Sequence, residues 1–87
     1  MSEPKSTLKM HFDGAQVGAA RKLLKMSQTE LATATGLTTR TITRFERGES
    51  VRPETVEAVR DVLVERGIVF LNGGEPGVRL RKVNRES

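Results

Sequence analysis

The chain has 87 residues, with 15 Lys and Arg against 11 Asp and Glu, a single His and no Cys. That length holds one small domain, with so little apolar surface to bury that a helical bundle or help from a second subunit is favoured. Disulfides and thiolate zinc sites are excluded, and a catalytic metal centre has no obvious ligand set.

No apolar run approaches the roughly 20 residues of a membrane span, and the N-terminus lacks a signal-peptide core. The expectation is a cytoplasmic protein with no membrane role. Charge is unevenly spread. Residues 14–48 carry six basic side chains against two acidic ones, whereas residues 49–67 carry three basic against five acidic. A basic front and an acidic back suit a protein that meets a polyanion with one face.

Residues 1–12 lack a sustained period and are expected to form an N-terminal arm, with Met10 and Phe12 docking where the fold begins. His11 stands alone and reads as a surface or packing residue. From Gly14 the pattern turns helical, with Val17, Ala20, Leu23 and Leu24 as its apolar stripe and Arg21, Lys22 and Lys25 between them. "SQTE" is a capping box: Ser27 accepts from the Glu30 N–H, and Glu30 reaches back to the Ser27 N–H. It opens a second helix over Gln28 to Thr35 with Leu31, Ala32 and Thr35 inward, and Gly36 supplies a left-handed stop.

Thr38 is the expected N-cap of a third helix running to about Arg47, where Gly48 ends it. Ile42 and Phe45 are nearly its whole apolar content. Thr39, Arg40, Thr43 and Arg44 then fall on the outer surface, with Arg47 at the far end. Arg40 and Arg44 are like-charged neighbours at i, i+4, an arrangement that costs an isolated helix a few tenths of a kcal/mol and, with no acidic neighbour on the same face, favours a polyanion partner. Pro53 sits in the first turn of a fourth helix with Val56, Val59, Val62 and Leu63 as its stripe, closed by Gly67.

The tail changes period. "IVFL" (68–71), the turn signal "NGGEPG" and the alternating "VRLRK" read as a β-hairpin. Both alternating sets of its first strand are apolar, Ile68 with Phe70 and Val69 with Leu71. Either a second subunit covers the outer set, or one face packs on the fourth helix and the other is exposed. Arg79, Arg81 and Lys82 suit flanking phosphates and a solubilising strand face equally.

Two helices joined at a glycine, the second short and thin in apolar residues, follow the order of a helix-turn-helix. Such a second helix needs only enough core contact to stay in place, because its outer face enters the major groove. Arginine can bridge guanine O6 and N7, and threonine offers a hydroxyl and a methyl that fits thymine.

"RKLLKMSQTELATATGLTTRTITRFERG" (21–48) resembles the Cro/CI-type (XRE) helix-turn-helix family of phage repressors and bacterial regulators. The likeness extends over residues 14–67, and the tail is similar to C-terminal extensions on small bacterial members. The resemblance implies a mainly α fold, a four-helix lambda-repressor-like domain over 13–67; a C-terminal β-hairpin and basic tail follow over 68–87, and the two apolar faces of the first strand make the hairpin the expected dimerisation element. It implies that Gln28 holds a backbone phosphate and that Thr38, Thr39, Arg40 and Arg44 touch bases or the adjoining backbone. Arg47 and the loop to Arg52 would run beside phosphates, and Arg21 with Glu46 would form an internal salt bridge. Many relatives read bases with glutamines; Thr39, Arg40 and Arg44 stand here instead, which shifts the expected contacts towards guanine.

The function so implied is a sequence-specific, double-stranded DNA-binding transcriptional regulator. It would be a homodimeric repressor or autoregulator on an inverted-repeat operator, cytoplasmic and nucleoid-associated when bound. The alternative is a protein-interaction module, such as an antitoxin or antiactivator, that keeps the fold. No enzyme activity, cofactor or small-molecule ligand is expected, since no nucleophile, base or paired carboxylates are placed by a motif.

Overall fold

The computed structural model describes residues 12–71 and 77–81. Expectations for residues 1–11 (Met10 and His11 among them), for most of the "NGGEPG" turn and for Lys82 lie outside the described residues. Four helices, α1 (Gly14–Leu23), α2 (Gln28–Thr35), α3 (Thr39–Glu46) and α4 (Pro53–Glu65), are followed by β1 (Ile68–Leu71) and β2 (Gly77–Leu80). The mainly helical architecture with a terminal hairpin is the one expected.

Local chemistry sets the helix boundaries. The Ser27–Glu30 capping box is formed at both bonds, and a second box opens α1, where Asp13 accepts from the Gln16 N–H and Gln16 accepts from the Asp13 N–H. Thr38 caps α3 by accepting from the Thr41 N–H, and Pro53 starts α4. Helices α1, α2 and α3 end in the same pair of backbone bonds, closing on Lys25, Gly36 and Gly48 at positive φ. Lys25 takes that conformation (φ 59) without being glycine. Arg47 is the C-cap of α3, one residue beyond the helix itself.

The core gathers Val17, Ala20, Leu31, Ala32, Ile42, Phe45, Val59, Leu63 and Ile68. Leu23 is a departure from the expected stripe: it is 42% exposed, while Leu24 packs against the core. At 3.6 residues per turn Leu24 lies almost above Val17, whereas Leu23 is rotated roughly 120° away. Gly14 and Gln16 complete the buried face instead.

The hairpin is antiparallel, pairing Ile68 with Leu80, Val69 with Arg79, Phe70 with Val78 and Leu71 with Gly77. Ile68 is buried against the helices and Phe70 half-buried, whereas Val69 is half-buried and Leu71 exposed. Phe12 joins the two parts, stacking on Phe70 at 4.5 Å between centroids and meeting Phe45 at 5.9 Å. The buried Gln16 amide adds a polar pin, donating from Nε2 to the Gly77 carbonyl (2.9 Å) and the Leu71 carbonyl (3.4 Å).

Gly14 is where α1 crosses the end of α3. A Cβ there would overlap the Phe45 carbonyl and crowd the Glu46 backbone, which cannot yield as a side chain could. At Gly18 a Cβ would meet only the Glu46 carboxylate, at ordinary contact distance (3.4 Å). Gly14→Ala is therefore expected to lower unfolding free energy by about 3 kcal/mol. Gly18→Ala should leave stability unchanged or raise it by up to about 1 kcal/mol, because the new contact is an ordinary one and alanine has the better helix propensity. Urea denaturation of both variants checks the pair; equal effects would mean that α1 and α3 are not in close backbone contact.

Candidate nucleic-acid interface

Helix α3 is the most sharply two-faced of the four. Ile42 and Phe45 are buried, and Thr39, Arg40, Arg44 and Arg47 are exposed on the other side. The structure therefore brings these four expected site residues onto one continuous surface. Thr39, Arg40, Thr43, Arg44, Arg47 and Glu49 line one shallow depression. Thr41, Arg44, Ser50, Val51, Arg52 and Thr55 line its neighbour, so Arg44 belongs to both and Arg52 lies along the same side.

Thr38 is exposed at the start of this surface, and its hydroxyl accepts from the Thr41 N–H and donates to the Thr41 hydroxyl. Thr43 is half-buried, set back from the outer surface, because its hydroxyl donates to Gln28 Oε1 at 3.1 Å. Gln28 in turn donates from Nε2 to Glu46 Oε1 at 3.0 Å. Both ends of this amide are thus engaged within the protein, and among the described residues one N–H of the NH₂ group is left over.

Glu46 is the node of that network. Arg21 Nε donates to Glu46 Oε2 at 2.8 Å and Nη2 to Oε1 at 3.1 Å, while Nη1 donates to the Met26 carbonyl at 2.9 Å. The Arg21 and Glu46 side chains are only 14% and 12% exposed. Hydrogen bonding to Glu46 raises the Arg21 pKa, burial opposes it, and the Glu46 charge adds to the rise. A raised folded-state pKa contributes stability that is lost only as pH climbs through the pKa, far above neutrality for a guanidinium, so working pH does not touch the Arg21 charge.

Two features were not foreseen from the sequence. Gln16 pins the hairpin, as described above. Glu49 bonds Arg44, Nε to Oε1 at 3.0 Å, and approaches Arg47 at 3.9 Å. Arg44 therefore does have an acidic neighbour, which corrects the expectation drawn from α3 alone. The reason is the turn after α3: left-handed Gly48 (φ 90) folds the chain back so that the Glu49 N–H bonds the Arg44 carbonyl. A glycine stop followed by a carboxylate was the available signal, since this turn brings the residue after the glycine back onto the last turn of the helix.

A helix-turn-helix family model matches residues 17–63, more than half of the chain and most of the four-helix unit. The chain belongs to the Cro/CI-type (XRE) helix-turn-helix family. This XRE protein is accordingly a DNA-binding regulator, from a family of regulators and not of enzymes. The match stops short of the Asp13 cap and of the hairpin. No curated protein matches the chain. Among the described residues no helix is long and apolar enough to cross a membrane.

Removing one partner of a mostly buried ion pair strands the other. Arg21→Ala would leave Glu46 with the Gln28 amide alone and is expected to lower unfolding free energy by about 3 kcal/mol. Arg21→Lys should recover little of it, because an ammonium cannot span two carboxylate oxygens and the Met26 carbonyl as the planar fork does. Thermal denaturation of the two variants decides; full rescue by lysine would reduce the clamp to a charge contact.

Proposed function

We propose that this regulator is a homodimer that reads an inverted-repeat operator in double-stranded DNA and represses or tunes a promoter, its own included, by occupancy. It would act in the cytoplasm, on the nucleoid. The observation that carries the reading is the exposed strip of Thr39, Arg40, Arg44 and Arg47 on a helix fixed by its opposite face. Arg40 and Arg44 offer guanidinium forks to guanine, and Thr39 offers a hydroxyl and a methyl. Thr43, whose hydroxyl is turned to Gln28, would present its methyl to thymine.

Gln28 and Thr38 would face the backbone. Gln28 sits at N1 of α2 and keeps a spare amide hydrogen beside that helix's free N–H groups, a combination suited to a phosphate. Arg47 and Arg52, exposed at the two ends of the loop after α3, would run along the flanking phosphates. In this arrangement Arg21 and Glu46 touch no DNA and hold the reading helix in place.

For the dimer, support comes from the hairpin. Its outer face carries Val69, half-buried, and Leu71, 41% exposed. Two copies set hairpin to hairpin would cover these side chains and leave both α3 helices free for successive major grooves, about 34 Å apart.

In vitro selection from random duplexes, then titration of the winner at two salt concentrations, tests the reading. Enrichment of an inverted repeat is expected, with affinity falling steeply in salt for all duplexes while the preference persists. Arg44→Ala should cost about 1–3 kcal/mol on the selected site and relax one base position in each half-site. No enrichment would point instead to a protein partner. For the dimer, Leu71→Glu is expected to give monomers by sedimentation at micromolar concentration with the helical fold intact; a variant that still sediments as a dimer moves the interface off the hairpin.

A further inference from the structure

An arginine that reads a base must lose most of its rotamer freedom, and one on an exposed helix face has a long side chain to immobilise. Arg44 is 50% exposed, yet its guanidinium is held. Glu49 Oε1 accepts from Nε, the nitrogen nearest the stem, at 3.0 Å. Among the described residues no hydrogen bond engages Nη1 or Nη2 of Arg44, so the end of the fork is left for a ligand. Glu49 is itself fixed, because its backbone N–H bonds the Arg44 carbonyl at 3.1 Å through the left-handed turn at Gly48. The same two residues are therefore joined twice, once through backbone and once through side chains.

We infer that Glu49 is a specificity-determining positioning residue: it holds the Arg44 guanidinium so that its two terminal nitrogens face a guanine edge. This rests on the DNA reading proposed above. A fork held at Nε has its Nη1 and Nη2 hydrogens directed outward in one plane, the geometry that O6 and N7 of guanine accept. In water an ion pair this exposed contributes little. Against DNA the surrounding water is displaced, and the same contact then acts on a fork with less freedom to find other bases or a phosphate.

Glu49 also has a cost, and the cost makes the role testable. Its carboxylate adds a negative charge to a surface that approaches phosphates, so it opposes binding to every sequence alike. A residue that lowers general affinity while sharpening one position has a two-signed signature that a merely structural residue lacks.

The experiment uses the full chain, the selected duplex, a duplex changed only at the position that Arg44→Ala relaxes, and an unrelated duplex. Glu49→Ala is expected to bind the unrelated duplex more tightly than wild type. Its preference at the Arg44 position should fall by roughly five- to tenfold, part of what a bidentate contact supplies, with other positions unchanged. Glu49→Gln keeps an oxygen acceptor at the same reach and should retain most of that preference while sharing the gain in general affinity. Both changes lie on an exposed turn, and unchanged melting of the variants confirms that the fold is intact. If Glu49→Ala keeps the full preference, or loses it evenly at all positions, the positioning role is overturned while the DNA reading stands. Wild-type protein with no sequence preference overturns both.

Discussion

Glu46 is the last residue of α3, and it is the one carboxylate of that helix. A negative charge there faces the unfavourable end of the helix dipole and is mostly removed from water. It is tolerated because Arg21 closes on it with two nitrogens and Gln28 adds a third donor. Those donors come from α1 and α2, so neutralising one side chain ties three helices together. Arg21 uses its remaining terminal nitrogen on the Met26 carbonyl, satisfying the chain just beyond α1 as well. The crossing of α1 over α3, which Gly14 permits by having no side chain, brings Arg21 within reach.

That clamp explains how α3 can have the composition it does. Eight residues are too few for an isolated helix, and threonine and β-branched residues do not favour one. Its core contact is limited mainly to Ile42 and Phe45. The helix is held by that stripe and at its ends: by the Thr38 cap at one, and by Glu46 and the Gly48 turn at the other. With stability supplied at the ends and on one narrow stripe, the outer side chains carry no packing duty. Threonines and arginines that would be poor choices for a structural helix are then free to serve recognition.

The parts of this architecture that depend on neighbours in sequence were legible there. Capping at Ser27 and Thr38, the glycine stops, Pro53 at the start of α4 and the β-branched run at 68–71 all act over a few residues, and each lies where the pattern places it. The Asp13–Gln16 box has the same local signature and could have been read. What periodicity could not supply was orientation and reach. Leu23 looked like stripe because it is apolar, but the helix turns it away from Val17 and Leu24. Thr43 looked purely external until Gln28, fifteen residues earlier, drew its hydroxyl inward. Gln16 gave no sign that its amide would meet carbonyls 55 and 61 residues later.

That last contact links the two ends of the molecule. Leu71 and Gly77 are partners in the hairpin register, and the Gln16 amide bonds both carbonyls, so the paired strands are fixed at that point to the first turn of α1. Phe12 stacks on Phe70 beside it and also meets Phe45 of α3. A continuous path of close contacts therefore runs from the hairpin through α1 to the Glu46 clamp and α3. A dimer joined through the hairpins would inherit this rigidity: the separation of its two α3 helices would be set by packing and not by a flexible linker. Half-sites on DNA recur at a fixed helical repeat, and a reader whose helices could drift would lose affinity to ordering them on the duplex. In such a dimer the buried Gln16 would let the hairpin, outside the part of the chain that matches the family, set the operator spacing that the helix-turn-helix accepts.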